Sequence, residues 1–326
     1  MKLFLGLLES SPPDETRIFS EIDRQFVDVN MACAAYFAAL EDSRAAAYDL
    51  ADFHFPKTIS EFLERGEASK KILAEVTKFT RRRDGNLRGV NGEKVIYDAA
   101  DVRILPPFLL PERSFVIGFS DRARTEALPK AEIATAFYKL PQTFVAGGAP
   151  IVWPKFSEEL DADACLALVI GKPGRRIPTE AAWDHIGGVT LLIDITARDV
   201  NRREGLTTNN LLGKNFPSST SLGPAMLVKP ARSELEKLEI ELAIDGEVKQ
   251  KFALGDCVFT IEQIVARWSI LGVKPGDFLA IGASMALAGD RLQNPAPLKI
   301  GSAVRCSSSA IGTLSHRVVR AGETRR

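Results

Sequence analysis

Between Ile104 and Arg113 the chain reads ILPPFLLPER, placing three prolines in ten residues. Proline lacks a backbone N–H and has a fixed φ, so such a stretch cannot continue a helix or lie inside a central strand. The segment therefore divides the chain, and the two sides differ in texture. Residues 1–105 read as a smaller α/β N-terminal domain. Within it, RIFSEIDRQFVDVNMA suggests a short strand pair, and MACAAYFAALEDSRAAAYDLADF is rich in the helix formers Ala, Leu and Glu. TISEFLERGEASKKILAEVTKFTRRR has the apolar spacing of one or two amphipathic helices. Thr58 followed by Glu61 fits a capping box. Arg81, Arg82 and Arg83 lie where basic side chains favour a helix C-terminus.

Residues 106–326 are rich in strands: FVIGF, ACLALVIGK, GVTLLIDIT, AMLVK, LEIELAIDG, DFLAIGA and AVRCSSSAIGTLSHRVV, with one clear helix at TIEQIVARWSILG. Few helices separate these strands, so the order is not an alternating β-α-β pattern and a Rossmann domain is not expected. GKPGRR lacks the dinucleotide fingerprint, and there is no Walker A sequence.

The 326 residues carry 42 basic and 42 acidic side chains. That balance gives no reason to expect nucleic-acid or anionic-membrane binding. The opening MKLFLGLLESSPPDE has an apolar run shorter than the roughly 7–15 residues of a signal-peptide core. No stretch approaches the roughly 20 apolar residues of a membrane span. Cys33, Cys165, Cys257 and Cys306 are widely spaced, as expected of reduced thiols in a cytoplasmic protein.

His54, His185 and His316 form no triad or metal-binding spacing and read as structural. The carboxylates say more. In LDADACLALVIGK, strand alternation puts Asp161, Asp163 and Cys165 on one face. Asp194 ends the apolar run of LLIDITARD, where a buried carboxylate needs a cation or hydrogen bonds. Asp163 with Asp194 is thus a candidate oxygen-ligand pair for a hard cation, or two aspartates that cap turns. The stretch ITARDVNRREGLTTNNLLGKNFPSSTSLGP gathers Arg198, Asp199, Asn201, Arg202, Arg203 and Lys214. It suits an anionic substrate, with Lys214 stabilising developing oxyanion charge, or else a solvated loop of salt bridges.

These runs, with FVIGF, FYKLPQTFVAGGAPIVWP, LGVKPGDFLAIGA and LKIGSAVRCSSSAIGTLSHRV, resemble the fumarylacetoacetate hydrolase family over roughly residues 111–320. The resemblance implies an α+β chain with a mixed β-roll or β-sandwich catalytic domain, usually homodimeric. It also implies a divalent cation held by two Glu on one strand and an Asp on another. The substrate would be a 2-oxo or β-diketo acid, with the cation acting as a Lewis acid in C–C cleavage, decarboxylation or tautomerisation.

Residue by residue, Asp194 matches the Asp ligand, while Asp163 and Cys165 stand at the two Glu positions. Mg²⁺ and Mn²⁺ disfavour sulfur, so Zn²⁺ is the alternative if Cys165 ligates. Lys214 matches the substrate-binding lysine, and Asn201 stands where Gln is common. Arg124 occupies the catalytic His position, where it could clamp a second substrate carboxylate. Ala127, beside Glu126, occupies the Glu position, and Gly282-Ala283-Ser284 replaces a G-T-P turn. Lys214, Asn201 and Arg124 are the catalytic candidates, Arg198, Arg202 and Ser284 the substrate-binding ones, and Asp163, Cys165 and Asp194 the metal ligands. The expectation is a divergent enzyme acting on a C–C bond of an oxo acid, by hydrolysis, decarboxylation or related lyase chemistry. The alternative is a catalytically degenerate fold kept as a ligand-binding or partner-interacting module.

Overall fold

A computed structural model of the chain describes residues 1–9, 11–12, 14–41, 44–83, 85–117, 133–204, 211–282 and 297–322. It falls into two compact units, Met1–Phe108 and Leu109–Arg326.

In the first unit, β1 (Lys2–Leu8) lies between β2 (Arg17–Ile22) and β5 (Val102–Leu105), with β3 (Gln25–Asp28) and β4 (Ile96–Tyr97) continuing beyond β2. These pairings are all antiparallel. The β2–β3 pair is the one its sequence suggests. β1 went unread as a strand because all but its first residue is buried, so no polar alternation marks it.

The helices are α1 (Val29–Glu41), α2 (Arg44–His54), α3 (Ile59–Glu64) and α4 (Gly66–Arg81). The Thr58–Glu61 capping box is present in both directions. Gly66 has φ +68, a left-handed value that breaks one amphipathic run into α3 and α4.

The second unit contains a mixed sheet ordered β12-β11-β10-β15-β6-β7, with β8 beside β12. Its strands are β6 (Ser114–Ile117), β7 (Ala136–Tyr138), β8 (Phe144–Val145), β10 (Leu160–Ile170), β11 (Ile186–Ala197), β12 (Thr220–Val228) and β15 (Phe278–Gly282). β6 runs parallel to β15 and β8 parallel to β12. A second mixed sheet is ordered β14-β13-β16-β17-β9. It comprises β9 (Ile151–Trp153), β13 (Glu239–Ile244), β14 (Glu247–Ala253), β16 (Ala303–Ser308) and β17 (Gly312–Arg320). Among its described residues the unit also has the α-helices α5 (Arg198–Arg203), α6 (Arg232–Glu236) and α7 (Ile261–Trp268). The chain is therefore of the α+β class. No described helix is long and apolar enough to cross a membrane.

β10 and β11 position the site. Every residue of both is buried. Along one face Ala162, Ala164, Leu166, Leu168 and Ile170 meet Leu191, Ile193 and Ile195 in an apolar cluster that includes Ile240, Leu242, Val304 and Leu314 of the second sheet. Because side chains alternate, the opposite face receives Asp161, Asp163 and Cys165 from β10 and Asp194 and Thr196 from β11.

Gln250 of β14 fastens the apolar side. Its Nε2 donates to the Ala164 carbonyl at 2.9 Å, and its Oε1 accepts from the Ala164 N–H at 2.8 Å. Leucine at 250 would fill similar space while leaving two buried backbone groups without this partner. The expected loss is roughly 2–6 kcal/mol in urea unfolding, summed from the desolvation cost of each group.

Candidate functional site

β10 and β11 pair antiparallel so that Asp163 lies directly opposite Asp194, and Asp161 opposite Thr196. Like charges directly opposed across a strand pair are destabilising. Both aspartates are also fully buried, where an unpaired carboxylate would be costly. The chain supplies three cations to them.

Arg198 opens α5 immediately after β11. Its Nε and Nη2 donate to Asp161 Oδ2 at 3.1 and 2.8 Å, and Nη2 also reaches Asp163 Oδ2 at 2.9 Å. The planar guanidinium suits this bridging role. Burial alone would make the guanidinium easier to deprotonate, but Asp163 and Asp161 outweigh burial and hold its pKa above the ordinary value. The Ala162 N–H donates to Asp161 Oδ1 at 2.8 Å.

Asp194 receives two ammonium groups. Lys139, just after β7, donates to Oδ1 at 2.9 Å, and Lys214 donates to Oδ2 at 2.5 Å. Burial opposes ionisation of Asp194, yet Lys139 and Lys214 together keep its pKa below the usual carboxylate range. Burial lowers the pKa of Lys139 despite Asp194, and the neighbouring Lys214 ammonium acts in the same direction.

Lys139 and Lys214 differ in what remains free. The Lys139 ammonium also hydrogen-bonds the Lys214 carbonyl and, at 3.3 Å, the Ser219 carbonyl, so its three N–H groups all have acceptors. Lys214 has a second acceptor in Thr196 Oγ1 at 2.6 Å. Among the described residues no third acceptor meets it. Its ammonium lies 4.6 Å from the centroid of the Phe137 ring.

The structure thus brings Asp163, Cys165, Asp194, Lys214 and Arg198 of the sequence candidates onto one polar strand face. Asn201, on α5, is buried, its Oδ1 meets no hydrogen-bond partner among the described residues, and Gly213 lies so close that a Cβ there would come within 1.9 Å of that oxygen. Arg202 pairs with Glu159 on a half-exposed surface, and Arg203 pairs with Asp199. Arg124, Glu126, Ala127 and Ser284 lie outside the described residues. His54, His185 and His316 contact Ser69 Oγ, the Lys172 carbonyl and the Ala149 carbonyl. Lys139 was missed in the sequence; its only signal there was a lysine set between an aromatic strand and a proline in FYKLP.

The metal question turns on donor chemistry. Cys165 is buried, and burial, with Asp194 and Asp163 nearby, pushes its thiol pKa well above the ordinary value. A protonated thiol is a poor ligand for a hard cation. Asp163 is engaged by Arg198, and both oxygens of Asp194 are engaged by lysines. Among the described residues no group of three His, Cys, Asp or Glu side chains is arranged to hold a metal ion. The residues present therefore do not fit the divalent cation implied by the resemblance. All four cysteines are buried.

A buried strand face carrying matched carboxylates and ammoniums, on two mixed sheets, invites comparison with known proteins. Residues 118–319 match the fumarylacetoacetate hydrolase C-terminal family, and the chain belongs to that family. It is 30% identical over 272 residues to an oxaloacetate tautomerase of Xenopus laevis described as mitochondrial, covering 82% of this chain and 80% of that protein. Oxaloacetate tautomerase YisK of Bacillus subtilis is 31% identical over 231 residues, covering 68% and 75%. The fold also resembles a maleylpyruvate hydrolase of Sphingobium solved with manganese(II) and pyruvate. That match has a TM-score of 0.68 and 18% identity, covering 98% of this chain and 99% of that one.

Proposed function

We propose that this chain is an enzyme acting on a small 2-oxo acid, with Lys214 stabilising the enolate oxygen of the substrate. The single observation that carries the reading is the unused N–H of Lys214. The lysine is fixed by Asp194 and Thr196, and it retains one donor with no described acceptor. A fixed cation in a dry site stabilises developing oxyanion charge without reorganisation. The relatives named as oxaloacetate tautomerases support keto–enol interconversion as the reaction. In that step the α-carbon loses a proton and the carbonyl oxygen gains one. C–C hydrolysis or decarboxylation of a 2-oxo or β-diketo acid passes through the same charged oxygen and is the neighbouring possibility. A soluble cytoplasmic homodimer acting on an anionic small molecule belongs to the same reading.

A second reading has its own observation. Lys139 is paired with Asp194, and Arg198 with Asp161 and Asp163, all of them buried, as in a structural core, which suits a family fold kept as a ligand-binding module.

The test uses the purified full chain and oxaloacetate, following the enol absorbance for interconversion and product mass for C–C cleavage. Acceleration over the uncatalysed rate is the expected result. Absence of any acceleration with oxaloacetate and a panel of 2-oxo and β-diketo acids would overturn the enzymatic reading in favour of the module.

A further inference from the structure

We infer that this chain has exchanged the divalent cation of its family for fixed side-chain cations, so that Arg198, Lys139 and Lys214 bind the carboxylates where a metal would otherwise stand. The inference concerns what occupies the site and holds whether or not the chain turns over an oxo acid.

Three observations carry it. The first is occupancy. Mg²⁺ needs near-octahedral oxygen ligation at about 2.0–2.1 Å, with the carboxylates free to turn toward it. Here Asp163 is hydrogen-bonded to the Arg198 guanidinium at 2.9 Å, and the two oxygens of Asp194 are each held by a lysine at 2.9 and 2.5 Å. Adding a dication would bring two further positive charges against these buried cations and compete with them for the same carboxylates.

The second is charge. The three carboxylates of Asp161, Asp163 and Asp194 are balanced in total by the three cations of Arg198, Lys139 and Lys214, Arg198 serving two aspartates and Asp194 two lysines. The cluster has no residual negative charge to attract a dication into a buried site.

The third is the donor at position 165. Cys165 occupies the strand position that would complete a carboxylate set with Asp163 and Asp194. It instead offers a soft thiol, packed so closely to Gly282 that a Cβ there would lie 2.7 Å from the sulfur. The shorter Asp163 side chain is consistent with the same change, since it reaches Arg198.

The test is a Mn²⁺ titration of the full-length wild type, read by calorimetry and by the EPR signal of free Mn²⁺. Melting temperatures are measured with and without chelator. Wild type is expected to bind no stoichiometric Mn²⁺ and to keep its melting temperature in chelator. Arg198→Met with Cys165→Glu removes the competing guanidinium and adds a hard donor. This variant is expected to gain a Mn²⁺-dependent rise in melting temperature that wild type lacks.

Stoichiometric Mn²⁺ binding by wild type that Asp163→Asn weakens overturns the inference, and the wild-type titration decides the matter even if the double variant does not fold. Metal binding accompanied by turnover overturns this inference alone. Absence of both binding and turnover overturns the proposed function alone.

Discussion

Asp194→Ala is expected to leave little folded protein at 25 °C. The substitution removes the shared counter-charge of Lys139 and Lys214 and leaves two ammonium groups buried side by side. Removing one partner of a buried ion pair costs about 3–5 kcal/mol, and here two cations lose their partner together. Domains of ordinary size are stable by only about 5–15 kcal/mol. Urea unfolding and soluble yield measure the loss, and a melting temperature close to wild type would refute the account of the site.

Combining Asp194→Ala with Lys214→Met removes one of the two repelling cations. The double variant should therefore be more stable than the sum of its single changes, a non-additivity that a double-mutant cycle reads directly.

The same pair fixes the sign of the acid response. Asp194 titrates below the usual carboxylate range in the folded chain. Its contribution is then fully present above the ordinary aspartate pKa, near 3.9, and is lost as the pH falls through the lower folded value. Asp28 and Asp277 are raised by burial and act with the opposite sign. Loss of the Asp194 contribution should therefore appear only in strong acid.

Lys214→Met is expected to abolish most turnover while sparing the fold. After this change Asp194 still has Lys139, so a neutral pair remains in the interior. Methionine also fills most of the volume of the lysine stem. What is lost is the donor assigned to the enolate oxygen. Removing one preorganised donor of this kind lowers kcat by about 10²–10³. The expected pattern is a fall in kcat with near-wild-type unfolding. Unchanged turnover would remove Lys214 from the chemistry.

Much of this arrangement was legible in the chain. Alternation in LDADACLALVIGK placed Asp161, Asp163 and Cys165 on one face, and β10 has that geometry. Asp194 stood out as a carboxylate ending an apolar run, for which a cation or hydrogen bonds were needed; the structure supplies two lysines. Lys214 was visible through the family resemblance.

The pairing itself was not legible. Lys139 and Asp194 are 55 residues apart, and the strands they follow or occupy, β7 and β11, are not neighbours in the sheet, so neither local sequence nor strand pairing announces the contact. The polar run from Arg198 to Lys214 read as either a substrate platform or a solvated loop. It is mixed: Arg198 and Lys214 are buried, whereas Arg202 and Arg203 form exposed ion pairs. No local pattern distinguishes one arginine from the next there, because their burial depends on where α5 leaves β11. β1 was missed because it is buried along almost its whole length.

The six charges are not evenly mixed. Asp161, Asp163 and Arg198 together carry one negative charge, while Asp194, Lys139 and Lys214 carry one positive charge on the neighbouring strand. Across β10 and β11 this makes a short interior dipole, in a chain whose formal net charge is zero. The field of a dipole fades faster with distance than that of a single ion. An anion approaching from solution would feel little pull until it is already inside, so the rate of capture should depend weakly on ionic strength. Selection would then act at contact, through the orientation in which the negative end of a ligand meets Lys214.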